Sequence, residues 1–496
     1  MNATPQPTSA PAAPGGLRGR LDAYFRVTER GSNFAREIRG GLVTFFAMAY
    51  IIVLNPLIIG TAPDAAGDEL GIARVAATTA LVGGVISILM GVVSRYPFAV
   101  AAGMGINVIV AYTLAPEMTW ADAMGLVVLE GIVLLVLVLT GFRNAVFRAV
   151  PAGLKSAIAV GVGMFLAFVG FVNAGFIRRV PDAANSTVPV QLGSGHLDGW
   201  PILVFVLGLA LTIALIVRKV RGAMLIGMLA ATATAIAVEA FAKVGPSVGA
   251  GGEPNPTGWS LTVPTLPSSV GDVVAVPDFS LVGQFNLFGS FANIGVIAVV
   301  LLIFTLLLAD FFDTMGTMVG VAEQGRLLDS DGNLDGSREV LVVDAVGTMA
   351  GGAASASVNT VFAESSAGVA EGARTGIAPI VTGLLFLVAT LFSPLVEIVP
   401  FEAATPVLII VGFMMMTQVT KIDFTDLSLG IPAFITIATM PFTYSIADGI
   451  GFGFITYVLI KAVQGRPREV HPLMWIVAAA FLVFFAMEPL KALFAG

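Results

Sequence analysis

The sequence of 496 residues contains no cysteine and only two histidines, His196 and His471. Without cysteine there can be no disulfide framework and no thiolate metal site, and two histidines are too few for a histidine-rich metal centre. Charged residues make up only 11% of the chain, whereas about a quarter is usual in soluble proteins. We therefore predict no metal and no other cofactor, and the lack of a basic patch predicts no nucleic-acid partner.

Apolar residues, in contrast, make up 57% of the chain. Runs of roughly 20 apolar residues, the length that crosses a bilayer, recur from about residue 40 onward and leave no room for a sizeable soluble domain. The sequence thus predicts an all-α integral membrane protein surrounded by lipid. Residues 1–33, which begin rich in Pro, Ala and Gly, lack the apolar core of a signal peptide and predict a disordered cytoplasmic tail.

The candidate spans form two groups, separated by the longest loop of the chain. The first group occupies residues 34–245, the predicted extracellular or periplasmic loop 246–289, and the second group 290–465. About seven spans in each group indicate an internal duplication, and an odd number per group would make the two halves inverted. The last segment, 466–496, holds one further apolar stretch that could span the membrane or lie on its surface.

The positive residues test this count, because one missed span would reverse the side of every later loop. With a cytoplasmic N-terminus, most of the 25 Lys and Arg fall in cytoplasmic segments. They include Arg36, Arg39, Arg143, Arg148, Arg218, Lys219 and Arg221. We therefore predict a multi-pass protein of the plasma membrane, the bacterial inner membrane, with its N-terminus in the cytoplasm.

Few ionisable residues lie within the spans. In LLLADFFDTMGTMVGV, Asp310 and Asp313 are three residues apart and share one helical face, with Thr314 and Thr317 close by. Such groups are costly in hydrocarbon and usually face a cavity, so we interpret the pair as a substrate or proton site. The alternative is a helix end near the cytoplasmic surface. Glu130 is a lone acid in another apolar run, and the sequence names no partner for it.

The segment SASVNTVFAESSAGVAEG is too polar for a lipid-facing helix. Its small and β-branched residues predict a short extended piece, followed by a half-helix after Glu364. The helix N-terminus near Ser365 and Ser366 would offer free N–H groups at mid-membrane depth, where broken spans of transporters bind polar ligands. The alternative is a packed Ser/Gly helix interface with a neutral, buried Glu364.

The third span, YPFAVAAGMGINVIVAYTL, has the same design, with Gly103, Gly105 and Asn107 at its interruption. Taken alone, a glycine-rich membrane helix usually indicates close packing. The two interruptions, however, fall in the third span of each half. An inverted repeat with a binding site at its midplane predicts this match.

Five motifs together resemble the AzgA-like adenine/guanine/hypoxanthine permeases, a branch of the nucleobase transporters related to the uracil and xanthine permeases. They are GGLVTFFAMAYIIVLNPLII, AAGMGINVIVAY, ADFFDTMGTMVGVAEQ, NTVFAESSAGVAEGARTGIAPIVTGLLFL and PFTYSIADGIGFGFI. The likeness runs from about residue 33 to 470, with the motifs in family order. It implies about fourteen transmembrane spans in two inverted repeats of seven, a core domain moving against a gate domain, and short strands in the third and tenth spans.

The resemblance also implies a binding site. By position it assigns the substrate-contacting acids to Asp313 and Glu364, and the third-span residues to Gly105 and Asn107. Ala363, Ser365 and Thr317 complete the expected substrate-binding set. In the eighth span, uracil permeases have a Glu followed four residues later by a His. This chain has Asp313 and Thr317 at those positions, which argues against uracil as the main substrate.

The predicted function is proton-coupled import of hypoxanthine, guanine and adenine. Glu364 would accept hydrogen bonds from the N1–H and amine edge of guanine, and Asp313 and Asn107 would serve the imidazole edge. Asp313, Asp310 and Glu364 are the candidates for proton coupling, since a carboxylate in a dry cavity binds a proton more readily than one in water. The expected partners are thus a purine base, a proton and membrane lipid.

Two alternatives keep the same fold: a uracil/xanthine-type permease, and an anion exchanger. An exchanger needs a positive site, but no Lys or Arg lies at either interruption. A channel or a membrane-embedded enzyme is disfavoured, the enzyme because the chain lacks a histidine cluster for metal or nucleophilic chemistry. Sodium as the coupling ion, the ranking of the purines and the oligomeric state stay open, with a homodimer common among relatives.

Overall fold

The computed structural model describes residues 16–140, 149–180, 189–248, 254–329 and 334–494. Residues 1–15 of the predicted tail, together with Arg143 and Arg148, lie outside this part of the chain. Within it, ten helices are long and apolar enough to cross a membrane, and Leu427–Thr443 and Pro472–Ala486 are shorter apolar helices. The predominantly helical membrane architecture expected from composition is confirmed.

The first half begins with α1 (Leu17–Phe25). It continues with α2 (Phe34–Met48), α3 (Ile51–Ile59), α4 (Ile72–Ser94), strand β1 (Val100–Ala102), α5 (Met104–Ile109), α6 (Trp120–Thr140), α7 (Ala152–Asn173), strands β2 (Ile177–Arg179) and β3 (Val190–Leu192), α8 (Trp200–Val217) and α9 (Ala223–Ala242). The helices α2 and α3 form one candidate span, and α5 continues through a π-helical turn at Val110–Leu114. Hydropathy did not predict the β2–β3 hairpin, because it lies in a polar loop.

The second half contains α10 (Gly289–Asn293), α11 (Val296–Gln324), α12 (Ser337–Ala353), strand β4 (Asn359–Val361), α13 (Ser365–Ala370), α14 (Ile377–Ala389), α15 (Phe401–Met416), α16 (Leu427–Thr443), α17 (Ile446–Val463) and α18 (Pro472–Phe494). Two 3-10 segments, Thr390–Ile398 and Thr417–Lys421, extend α14 and α15.

The helices pack in two groups. In the first, which we call the core group, α14 packs against α2 and α4, while α12 packs against α4 and α6. The interrupted spans β1–α5 and β4–α13, together with α3 and α11, complete this group. In the second, the gate group, α7 packs against α15 and α16, α8 against α9 and α15, and α16 against α17.

Glycine allows the close helix crossings within each group. A Cβ atom on Gly163 of α7 would lie 2.6 Å from the carbonyl oxygen of Gly412 on α15. In the core group, a Cβ atom on Gly84 of α4 would lie 2.9 Å from the carbonyl oxygen of Gly383 on α14. Helices in lipid commonly associate through close contact between small residues. Lipid tails are as apolar as the side chains, so the hydrophobic effect does not drive helices together there.

The two interrupted spans meet through their strands. β1 pairs antiparallel with β4, so that Ala101 lies opposite Thr360. The N–H of Gly103 donates to the carbonyl of Val358 and the N–H of Phe362 donates to that of Ala99, both at 2.9 Å, which extends the ladder at each end. An unpaired backbone group is costly at membrane depth. Each strand therefore satisfies backbone hydrogen-bonding groups of the other. The half-helices α5 and α13 begin shortly after the pair.

Candidate functional site

A cavity of 170 Å³ lies where the paired strands, α11 and α15 meet. Most of its wall belongs to the core group, while the gate group contributes four residues from α15 and the turn after it. These four are Val411, Met414, Met415 and Gln418. The cavity therefore lies at the interface between the two groups of helices.

Five of the seven residues expected to contact substrate line this cavity. They are Gly105, Asp313, Thr317, Ala363 and Glu364. The side chains of Asp313 and Glu364 are half-buried, and their charges are close enough to interact. The two carboxylates thus face one shared space, although they come from spans far apart in the chain.

The other two, Asn107 and Ser365, lie behind the cavity wall. Asn107 is fully buried, and its side-chain nitrogen donates to Oδ1 of Asn55 at 2.6 Å. The hydroxyl oxygen of Ser365 accepts from the backbone N–H of Ala99 at 3.0 Å. Asn107 therefore ties the third span to the first, and Ser365 ties the tenth span to the third; neither side chain lines the cavity.

Tyr50 is a cavity residue that the sequence did not reveal. It lies between α2 and α3, is 1% exposed, and donates its hydroxyl hydrogen to Oε1 of Glu364 at 2.6 Å. This bond fixes one oxygen of the Glu364 carboxylate, and both residues line the cavity. Tyr50 stood within the family motif of the first span, but nothing in the local sequence indicates its contact with the tenth span.

A second cavity, of 450 Å³, continues from the first and shares Gly105, Asp313, Met415 and Gln418 with it. It extends to Glu323 near the end of α11 and to Lys421 at the end of the 3-10 turn after α15. The site is therefore open toward the end of the molecule that carries these charged residues. In the predicted topology, this end faces the cytoplasm.

A third cavity, of 710 Å³, lies near the other ends of the same helices, beside Glu117, Asn293 and Asp448. Among the described residues, it shares no lining with the first two cavities. Two aromatic residues of its lining pack together, since the ring centroid of Tyr444 lies 5.4 Å from that of Tyr112, and Tyr444 also lies 5.1 Å from Phe165. Within the described residues, the central cavity is thus continuous with the 450 Å³ cavity and not with the 710 Å³ cavity.

Asp310, expected to take part in proton coupling, is fully buried and lines none of these cavities. The hydroxyl of Thr348 donates to its Oδ2 at 3.2 Å. Asp310 thus lies one layer behind Asp313, in the interior of the core group. No group of three or more acidic or histidine side chains in the described residues is arranged to hold a metal ion.

Residues 35–452 match the model of the Permease family. The chain is 36% identical over 473 residues to the guanine/hypoxanthine permease PbuG of Bacillus subtilis, covering 94% of this chain and 99% of that protein. It is 32% identical to the adenine permease AdeP of Escherichia coli over 94% of this chain and 96% of that one. This chain belongs to the nucleobase permease family. The AzgA-like resemblance of its motifs is therefore confirmed, and the relatives are permeases, not enzymes.

The nucleobase permease also has a solved structural neighbour of another specificity. The transmembrane domain of a cyanobacterium bicarbonate transporter, BicA, aligns with a TM-score of 0.59, covering 84% of this chain and 96% of that one. At 14% sequence identity this likeness shows a shared fold alone. Because one fold hosts different functions, the substrate has to be argued from the cavity.

Proposed function

We propose that this permease imports hypoxanthine, guanine and adenine by proton symport through alternating access. The observation that carries the proposal is the pair of carboxylates, Asp313 and Glu364, in one cavity whose described lining contains no lysine or arginine. A neutral purine edged with N–H groups requires such acceptors, whereas an anion such as bicarbonate would be repelled by them.

The cavity offers a purine both polar and apolar contacts. Glu364, held by Tyr50, is the acceptor for the N1–H and amine edge, and such charge-assisted hydrogen bonds are strong in a dry site. Asp313 serves the imidazole edge, with the hydroxyl of Thr317 on the same helix. The side chains of Phe362 and Met415 supply apolar surface for the ring faces. Asn107, bonded to Asn55, supports the half-helix from behind.

Alternating access is supported by the position of the cavity between the core and gate groups, where it is continuous with the 450 Å³ cavity but shares no described lining with the 710 Å³ cavity. In this proposal residues 34–245 and 290–465 are two inverted repeats of seven spans, joined by the loop 246–289. The symmetric hydrogen bonds at the two ends of the strand pair support this relation. The N-terminus is cytoplasmic, the membrane is the plasma membrane, and a homodimer is the assembly to test.

Uptake by the purified protein in liposomes tests substrate and coupling together. Radiolabelled hypoxanthine uptake should rise with an inward proton gradient and fall with unlabelled guanine or adenine, but not with uracil or bicarbonate. Asp313→Ala should abolish uptake, while Asp198→Ala in an exposed loop should leave it unchanged. Uptake by Asp313→Ala at the wild-type rate would remove this carboxylate from the mechanism.

Single cysteines test alternating access, since the natural chain has none. Val319→Cys lies in the 450 Å³ cavity and Ala447→Cys in the 710 Å³ cavity. A membrane-impermeant maleimide should label the first from the cytoplasmic side and the second from the outside. Conditions that increase labelling at one position should decrease it at the other. Parallel changes at both positions would contradict alternating access.

A further inference from the structure

Behind the substrate cavity, the core group buries three carboxyl groups together. Glu130 on α6, Asp310 on α11 and Asp344 on α12 are all inaccessible to solvent. Glu130 lies within electrostatic range of both aspartates. Neither oxygen of Glu130 has a hydrogen-bond partner, and one oxygen of each aspartate, Oδ1 of Asp310 and Oδ2 of Asp344, lacks one as well. Four carboxyl oxygens therefore have unused hydrogen-bonding capacity in a dry interior.

This cluster contains no compensating positive charge. None of the ion pairs found among the described residues includes these three acids. A metal ion does not fit either, because no described group of acids is arranged to hold one. Three ionised carboxylates would be very unfavourable together in a dry interior. The cluster must therefore bind protons, and it can exchange one wherever a path to the cavity exists.

Two threonine hydroxyls supply such a path. Thr360 lines the substrate cavity, and its hydroxyl oxygen lies 2.5 Å from that of Thr314. The hydroxyl of Thr314 in turn donates to Oδ1 of Asp344 at 2.9 Å. Because a hydroxyl can donate and accept at once, the series from Thr360 at the cavity through Thr314 to Asp344 is unbroken.

Proton transfer along this series of hydroxyl groups conserves the number of protons on each hydroxyl. A proton from the cavity binds to the hydroxyl oxygen of Thr360, Thr360 gives its own proton to Thr314, and Thr314 gives its own proton to the Asp344 carboxylate. Each hydroxyl therefore gives one proton and receives one, and the Asp344 carboxylate becomes the neutral acid. One proton thus moves between the cavity, which Thr360 lines, and Asp344.

We propose that Glu130, Asp310 and Asp344 form a proton-storing carboxyl centre, and that Thr314 and Thr360 connect it to the substrate cavity. This inference rests on the proposed proton symport and names where the coupling proton resides. Asp313 lines both the substrate cavity and the 450 Å³ cavity and interacts electrostatically with Asp310 and Asp344, so the charge of the centre affects the substrate site.

The other titratable groups around the centre belong to a few elements. Beyond Asp313 lie Glu364 at the start of α13 and Tyr50 between α2 and α3. On α6, Asp122 is bonded to Asn293, more than two turns before Glu130. The arginines of α4, Arg74 and Arg95, lie at its two ends. No cation in these elements faces the centre in the described part of the chain.

The test compares exchange with accumulation in liposomes that contain the purified protein. Glu130→Gln removes an acid that touches no substrate, and Thr314→Val breaks the hydroxyl chain without changing side-chain volume much. Both should exchange radiolabelled hypoxanthine at the wild-type rate when pH is equal on both sides. Under an inward proton gradient both should fail to accumulate it above the outside concentration, and a pH-sensitive dye should report loss of base-coupled proton influx.

Thr305→Val is the matched control, because Thr305 is buried on the same helix as Thr314 and its hydroxyl has no partner. It should both exchange and accumulate normally. Gradient-driven accumulation by Glu130→Gln and Thr314→Val equal to wild type would overturn the carboxyl centre alone. Wild-type exchange without any proton influx would instead refute the proposed symport. If Glu130→Gln fails to insert, Thr314→Val carries the test, since it retains all charged groups.

Discussion

Replacing Tyr50 by phenylalanine measures how far base binding depends on the orientation of Glu364. Phenylalanine keeps the buried ring and the shape of the cavity, so the change removes only the 2.6 Å hydrogen bond to Oε1 of Glu364. A hydrogen bond to a charged group contributes about 1.5 to 3 kcal/mol, which corresponds to about 10-fold to 150-fold in affinity. Because a backbone hydrogen bond also helps to hold the Glu364 carboxylate, we expect the lower end, about tenfold weaker binding of hypoxanthine.

The assay is displacement of radiolabelled hypoxanthine from purified protein, which reports binding without transport. Tyr24→Phe is the matched control, since the hydroxyl of Tyr24 also donates a hydrogen bond, to the carbonyl of Val92 at 2.9 Å, but outside the cavity. The control should bind as wild type does. Unchanged affinity in Tyr50→Phe, or an equal loss in both variants, would refute the view that Tyr50 positions the Glu364 carboxylate for substrate.

Two further predictions concern close packing. In Gly105→Ala the new Cβ would lie 2.6 Å from Cγ1 of Val162, so the KM for hypoxanthine exchange should rise. Adding Val162→Ala should restore the wild-type KM. If the double variant keeps the raised KM, this clash is not the cause. In Gly163→Ala the new Cβ would lie 2.6 Å from the carbonyl oxygen of Gly412. Overpacking of this kind lowers the free energy of unfolding by about 1 to 3 kcal/mol, so the Tm in detergent should fall. Gly153→Ala on the same helix, whose nearest contact would be 3.9 Å away, should leave the Tm unchanged, and equal Tm values for the two variants would contradict the packing argument.

The spans and their interruptions could be predicted because the bilayer imposes local rules. Hydrocarbon thickness fixes the length of an apolar run, and polar backbone must be paired at membrane depth. The small and polar residues before Glu364 therefore indicated a break, and the helix that follows begins at Ser365. The carboxylates of Asp313 and Glu364 could be identified as site candidates because acids are so rare in the spans.

The contacts between spans could not be predicted in the same way. Asn107 was expected in the cavity, yet it is bonded to Asn55 of the first span, and helical periodicity alone does not say which neighbour a polar face meets. Tyr50 and Gln418 reach the cavity from segments more than 350 residues apart in the chain. Glu130 had no visible partner for the same reason, because Asp310 and Asp344 approach it only through the packing of α6 against α11 and α12.

The distribution of acids between the two groups of helices bears on how transport would be coupled. Asp313 and Glu364 in the cavity, and Glu130, Asp310 and Asp344 behind it, all belong to the core group, whereas the gate group contributes only apolar side chains and one amide to the cavity. If the core moves against the gate as proposed, the base and the stored proton travel on the same body. The proton then never has to cross the sliding interface between the groups. Coupling therefore requires only that binding of the base and of the proton favour each other within the core group, which is the step that Glu130→Gln and Thr314→Val are designed to break.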